Sequence, residues 1–207
     1  MRVVLIGGTS NAGKSTVAGE VAARLGFACR STDLLARHPG RPWRTAEREV
    51  PPHVAEHYAT LPVDELIASV LAHYERLWPR VEELVRTADG LVLEGSALWP
   101  ARVATLDAPA VWLTADATVL RDRIHTAGDH AGATADERAL VDKFLARTLR
   151  YQELVLADVT RLGLPSVDVG GRSVPEVADA VLAAAAGGPG HPAASSRTDP
   201  LRSDWGS

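Results

Sequence analysis

Gly8 to Ser15 reads G-T-S-N-A-G-K-S and directly follows the apolar run "RVVLIG". The stretch satisfies G-x-x-x-x-G-K-[ST], a spacing whose chemistry is the cradling of phosphate groups. Gly8 and Gly13 permit backbone conformations and close approaches that a Cβ would block. With small residues between them at Ser10, Asn11 and Ala12, successive backbone N–H groups can turn toward an anion. A helix starting near Lys14 directs its positive end at the same place. Lys14 is expected on the β- and γ-phosphates, with the Ser15 hydroxyl on Mg2+ and Thr16 beside it. The pattern predicts a nucleoside triphosphate site.

Two carboxylates stand at the ends of other apolar runs. Asp33 closes "RSTD", and Glu94 follows "LVL" in "LVLEGS". A carboxylate at a strand's carboxyl end faces the phosphate loop, where it can accept a proton from an acceptor hydroxyl or hold a metal ion. For Asp33 the competing reading is a simple cap on the following helix. Glu94 is open between Mg2+ and substrate, and Ser96 is a lesser substrate contact. Trp99 is open between a wall of the acceptor site and core packing.

Arginines follow these carboxylates. "LARHPGRPWR" carries Arg37, Arg41 and Arg44 just beyond Asp33. Guanidinium groups grip carboxylates and phosphates with paired donors, so an anionic acceptor is expected there. "RDRI" adds Arg121 and Arg123, and "ARTLRYQ" adds Arg147, Arg150 and Tyr151. The bland alternatives are a solvated basic loop and, for Arg147, a surface ion pair with Asp142 or Glu153. His38, His53, His57 and His73 show no metal-ligand spacing.

Short apolar runs and helical patterns alternate along the chain and must position these groups. "RVVLIG", "FACRST", "GLVLEG", "APAVWLTAD" and "LPSVDVG" read as five strands. "KSTVAGEVAARLG" reads as a helix closed by Gly26, and "PPHVAEHYATL" as a helix start after paired prolines. "VDELIASVLAHYERLWPRVEELVRTA" is a long amphipathic helix with a possible kink at Pro79. "ATVLRDRIHTAG" is helical, "DHAGATADE" is loop, and the helix after it starts at Arg138. Ser173 caps the last helix. This order predicts an α/β fold, a parallel sheet with helices on both faces, and ligands at the carboxyl ends of its strands.

At 207 residues, 46% apolar and 23% charged, the chain is expected to form one globular domain. A net charge of −4 offers no basic surplus for nucleic acid. No apolar run of about 18 residues marks a membrane span, and the N-terminus lacks the features of a signal peptide. The single Cys29 precludes an internal disulfide and fits a reducing cytoplasm, the expected location. From Gly187 the sequence turns to Gly, Pro, Ala and Ser, and residues 187–207 are expected to be a disordered tail.

Three outcomes for a bound triphosphate compete: transfer to a molecule, a guanine-specific timer, and a motor or clamp ATPase. There is no N-K-x-D, and "LEGS" stands where D-x-x-G would follow the third strand. The apolar run before Glu94 ends in a single acid. A kinase using ATP is favoured.

On these motifs the chain resembles the small P-loop kinases, the superfamily of nucleoside monophosphate, shikimate and gluconate kinases. The resemblance covers about residues 1–185 and implies a three-layer sandwich with strand order 2-3-1-4-5. It also implies a helical acceptor-binding insertion at 34–89 and a lid at 125–138 within a kinase domain spanning 1–186. By resemblance to shikimate-type kinases, Asp33 is expected to contact and help deprotonate the acceptor hydroxyl. The R-x-x-x-Y spacing of Arg147 and Tyr151 resembles the helix after the lid in nucleoside monophosphate kinases, where an arginine meets the transferring phosphate. Arg121 is expected on adenine by the same kind of resemblance. The "EGS" at strand 3 departs from the shikimate-type triple glycine, and the lid loop carries no arginine.

The sequence therefore predicts ATP- and Mg2+-dependent phosphorylation of a hydroxyl on a small, anionic metabolite. The alternatives are a nucleoside or nucleotide kinase, and a nucleotide-sensing regulatory module that hydrolyses ATP slowly. A monomer or homodimer is expected, with a small-molecule acceptor and neither nucleic-acid nor membrane partners.

Overall fold

A computed structural model describes residues 2–36, 40–45 and 49–187. The expectations placed on Arg37, His38 and the tail beyond 187 lie outside those residues. The five apolar runs form β1 (Val3–Gly8), β2 (Ala28–Ser31), β3 (Leu91–Glu94), β4 (Ala110–Thr114) and β5 (Ser166–Asp168). All pairings are parallel, in the order β2-β3-β1-β4-β5. The chain thus moves outward to one side through β2, and outward to the other through β4 and β5.

Alternation along each strand divides the core into two layers, because successive side chains point to opposite faces. Val4, Ile6, Val92, Val111 and Leu113 pack on one face with α1 (Lys14–Leu25), α5 (Ala117–Ala127) and α7 (Val174–Ala186). Val3, Leu5, Leu91, Leu93 and Trp112 pack on the other with α3 (Val63–Thr87), the short α4 (Pro100–Val103) and α6 (Ala135–Arg161). Each fully buried aliphatic side chain contributes about 1.5–3 kcal/mol. A third cluster unites Trp43, Tyr58 of α2 (Pro52–Thr60), Leu66, Ile124 and Phe144. It docks the segment after β2 against α5 and α6.

Two local features differ from the sequence reading, the start of the helix after the lid loop and a short helix near residue 100. The helix after the lid loop starts at Ala135, three residues before Arg138, because Thr134 and Glu137 form a capping box. The Thr134 N–H donates to Glu137 Oε2 at 2.8 Å, and the Glu137 N–H donates to Thr134 Oγ1 at 3.3 Å. Helix α3 spans 25 residues with Pro79 inside it, as the single long helix read from the sequence. Helix α4 went unread because four residues show no periodicity. Among the described residues, no helix is long and apolar enough to cross a membrane.

Candidate active site

The turn from β1 into α1 forms the floor of the site. Gly8 has φ +133°, and a Cβ there would lie 2.5 Å from the Leu113 carbonyl oxygen of β4. Only glycine lets the chain leave the sheet at that point. Asn11 has φ +60°, a left-handed value that asparagine tolerates better than most residues. Gly13 is the N-cap of α1. The loop is pinned from several sides. Thr9 Oγ1 donates to the Thr148 carbonyl of α6 at 2.9 Å, and Arg123 Nη1 donates to the Asn11 carbonyl at 3.1 Å. Lys14 Nζ folds back to donate to the Thr9 carbonyl at 2.7 Å.

Next to this loop, the Ser15 hydroxyl donates to Glu94 Oε1 at 2.9 Å. Glu94 is buried at the end of β3, which lies beside β1 in the sheet. Burial lowers the pKa of Lys14, Glu94 and then Asp33 oppose that shift, and Arg41 adds to it. These charges therefore act on one another across a shared space. It is a cavity of about 460 Å³, within the usual range for small-molecule sites of about 300–1,000 Å³.

Ser10, Asn11, Ala12, Gly13, Lys14, Ser15 and Thr16 line this cavity, and Asp33, Arg41, Glu94 and Ser96 line it with them. Asp33 is exposed within a 3₁₀ turn (Thr32–Leu34), and its N–H donates to Ser31 Oγ at 3.3 Å. The cap of that turn is Ser31, so the carboxylate of Asp33 is not committed to capping. The Ser96 carbonyl accepts a hydrogen bond from Tyr151.

Other residues singled out from the sequence lie elsewhere. Gly8 lies against Leu113 of β4 and does not line the main cavity. Arg44 lines a separate cavity of about 240 Å³ against Glu137 and Leu140. Arg121 is exposed on α5 and does not line the main cavity, whereas Arg123 does. Arg147 is buried rather than paired on the surface; its Nη1 donates to the Tyr58 hydroxyl at 3.3 Å. Glu153 pairs with Arg150, and Asp142 faces two histidines. Arg147 also lies 5.6 Å from the ring centroid of Phe144, which does line the cavity. Burial raises the pKa values of the nearby tyrosines, that of Tyr74 to about 12, so they remain neutral. Trp99 packs in the core, edge to face with Tyr151 at 5.7 Å.

Sequence reasoning missed Phe144 and Arg172, and it preferred Arg121 to Arg123. Arg172 lines the cavity with Val169, Val174 and Val177, where β5 leads into α7. The "GGRS" turn after the fifth strand was a usable signal for Arg172, since ligands collect at strand ends.

A glycine-framed loop at the start of a helix, with a lysine lining the same cavity, can hold a polyphosphate, and a hydroxyl beside a carboxylate is a hard-oxygen pair suited to Mg2+. The chain belongs to the AAA domain family (AAA_18), whose model matches residues 4–142. Its fold is that of the small P-loop kinases. A shikimate kinase from Bacteroides thetaiotaomicron aligns with TM-score 0.54 and 15% identity over 88% of this chain and 97% of that one. A shikimate kinase from Aquifex aeolicus VF5 aligns with TM-score 0.53 and 15% identity over 89% and 96%. A gluconokinase from Sinorhizobium meliloti 1021 is 21% identical over 89% and 91%, with a looser superposition at TM-score 0.49. A search of curated proteins found no match.

Proposed function

We propose that the protein is a kinase that transfers the γ-phosphoryl group of ATP to a hydroxyl of a small, anionic metabolite. The observation that carries this reading is the composition of one cavity. Its floor is the phosphate loop with Lys14 and the Ser15–Glu94 pair, and its wall carries both Asp33 and Arg41. Asp33 can take the proton of an acceptor hydroxyl and Arg41 can pair with an anionic group, so the cavity offers an acceptor a place beside the phosphates.

In this reading Ser10 to Thr16 bind the phosphates through backbone N–H groups and side chains. Lys14 leaves the Thr9 carbonyl and donates to the β- and γ-phosphates, as its charge-assisted bonds to phosphate are stronger. Ser15 and Glu94 are the residues that would hold Mg2+, which neutralises developing phosphate charge when bound. Asp33 orients the acceptor hydroxyl and takes its proton as the oxygen attacks phosphorus. Arg41 grips the anionic group of the acceptor, with Ser96 a further contact. Arg123 fixes the loop through Asn11, and Arg147, which must leave Tyr58 to reach the cavity, is assigned to the transferring phosphoryl group. Segment 34–89 serves as the acceptor-binding insertion and 125–138 as the lid. The protein works in the cytoplasm.

The experiment is direct. The full chain is incubated with ATP and Mg2+ and a panel of sugar acids, hydroxy acids, polyols, nucleosides and nucleotides, and phosphorylated products are identified by mass spectrometry. A phosphorylated hydroxy acid or sugar acid supports the reading. Transfer only to nucleosides or nucleotides replaces the acceptor class. The AAA domain match favours a second reading, ATP hydrolysis as an end in itself. Turnover that no acceptor stimulates, with ADP and free phosphate the only products, selects it.

A further inference from the structure

In the proposed lid and on the helix that follows it, three side chains converge, none of which lines the main cavity. His125 lies in the last turn of α5, His130 in the turn after it, and Asp142 on α6. The His125 and His130 rings are stacked, with centroids 3.9 Å apart and planes 9° from parallel. Both present Nε2 to the same carboxylate oxygen, Asp142 Oδ1, at 3.0 and 3.2 Å. His125 is in hydrogen-bonding geometry with that oxygen. His130 is not; its Nε2 is a buried nitrogen with no hydrogen-bond partner.

We propose that His125, His130 and Asp142 form a binding site for a divalent transition-metal ion of the zinc class. Two imidazoles and one carboxylate are a borderline donor set, suited to Zn2+ and poorly suited to Mg2+ or Ca2+. The three ligand atoms lie within 4.8 Å of one another. An ion with bonds of about 2.0–2.2 Å holds its ligands roughly 3.4 Å apart, so modest turns about His χ2, a broad torsion, complete the site. A metal ion also satisfies the nitrogen that Asp142 leaves unbonded.

The backbone presets this arrangement. The Gly128 N–H donates to the Ile124 carbonyl at 2.9 Å, ending α5, and the His130 N–H donates to the His125 carbonyl at 2.9 Å. Asp129 between them has φ +46°, which folds the chain back and lays one imidazole over the other. Ile124 and Val141, each next to a ligand in sequence, are fully buried and anchor the two helices. Asp142 is half exposed, so a water can complete a tetrahedral set.

The test is calorimetric titration of Zn2+, and separately of Mg2+, into chelator-treated full-length protein. Partner variants are His130→Ala, Asp142→Asn and Cys29→Ser, the last because Cys29 is an exposed thiol. Circular dichroism verifies that each variant is folded. One Zn2+ per chain is expected, weakened at least tenfold in both His130→Ala and Asp142→Asn, unchanged in Cys29→Ser, and not reproduced by Mg2+. Co2+ gives an independent readout, with visible bands of a tetrahedral site in the wild type that are lost in His130→Ala. Absent Zn2+ binding, binding that both site variants retain in full, or binding that disappears with Cys29 overturns the proposal. None of these outcomes bears on whether the protein is a kinase.

Discussion

The Ser15 hydroxyl donates to Glu94 Oε1 at 2.9 Å, joining the first turn of α1 to the end of β3. The two residues are 79 positions apart in sequence, and parallel pairing of β1 with β3 makes them neighbours. Glu94→Gln keeps an acceptor for Ser15 and removes the charge. The variant should fold normally, require more Mg2+ for half-maximal turnover, and lose about 10²–10³-fold in rate, the scale for one preorganised electrostatic group. A Mg2+ titration of turnover checks this, and an unchanged Mg2+ requirement would assign Glu94 to the acceptor.

Lys14 carries its charge in a buried position, and burial lowers its pKa from 10.5. At neutral pH the charge is therefore a burden on the folded state. Lys14→Met should abolish phosphoryl transfer while its melting temperature equals or exceeds that of the wild type. The pH dependence follows from the direction of the shift. Between the lowered folded pKa and 10.5 the unfolded chain binds more protons, so wild-type stability gains with rising pH in that window. The melting advantage of Lys14→Met should shrink there, and melts across the alkaline range measure it.

Asp33 lines the cavity while Ser31 caps its turn. Asp33→Asn should leave the fold and ATP affinity unchanged and reduce transfer to the acceptor by about 10²–10⁴-fold, the span of general-base assistance. Slow hydrolysis by water should survive better. Parallel measurement of phosphorylated product and free phosphate separates the two, and unimpaired transfer would remove Asp33 from the mechanism.

Arg41 and Arg44, three residues apart, face different cavities. Arg41→Ala should raise the acceptor KM at least tenfold with little effect on the KM for ATP. Arg44→Ala should alter both by less than about threefold, since its cavity lies against Glu137 and Leu140. Equal effects of the two substitutions would place the acceptor differently. Initial-rate kinetics with each substrate varied in turn decide the matter.

The phosphate loop, the five strands and the parallel sheet were legible in the sequence because each rests on local chemistry. An apolar run, a glycine that cannot be replaced and a capping residue act over a few positions, and their order along the chain limits the topology. The T-A-D-E capping box at 134–137 was equally local and simply went unread.

What the tertiary structure alone decided are matters of direction and distance between segments. Leu120 and Ile124 form the buried stripe of α5, and at about 100° per residue Arg121 and Arg123 flank it on opposite sides. Both are equally plausible on a helical wheel; the way α5 docks turns Arg123 toward Asn11 and leaves Arg121 in solvent. Gly95 follows the same logic: a Cβ there would lie 1.7 Å from Thr32 Oγ1, so β3 and the Asp33 turn meet without room for a side chain. Arg147 reads as a surface residue by type, yet Tyr58 and Phe144 enclose it. Likewise, His125, His130 and Asp142 have no recognisable spacing, since one helix end, one reversed turn and a second helix must meet before their donors converge.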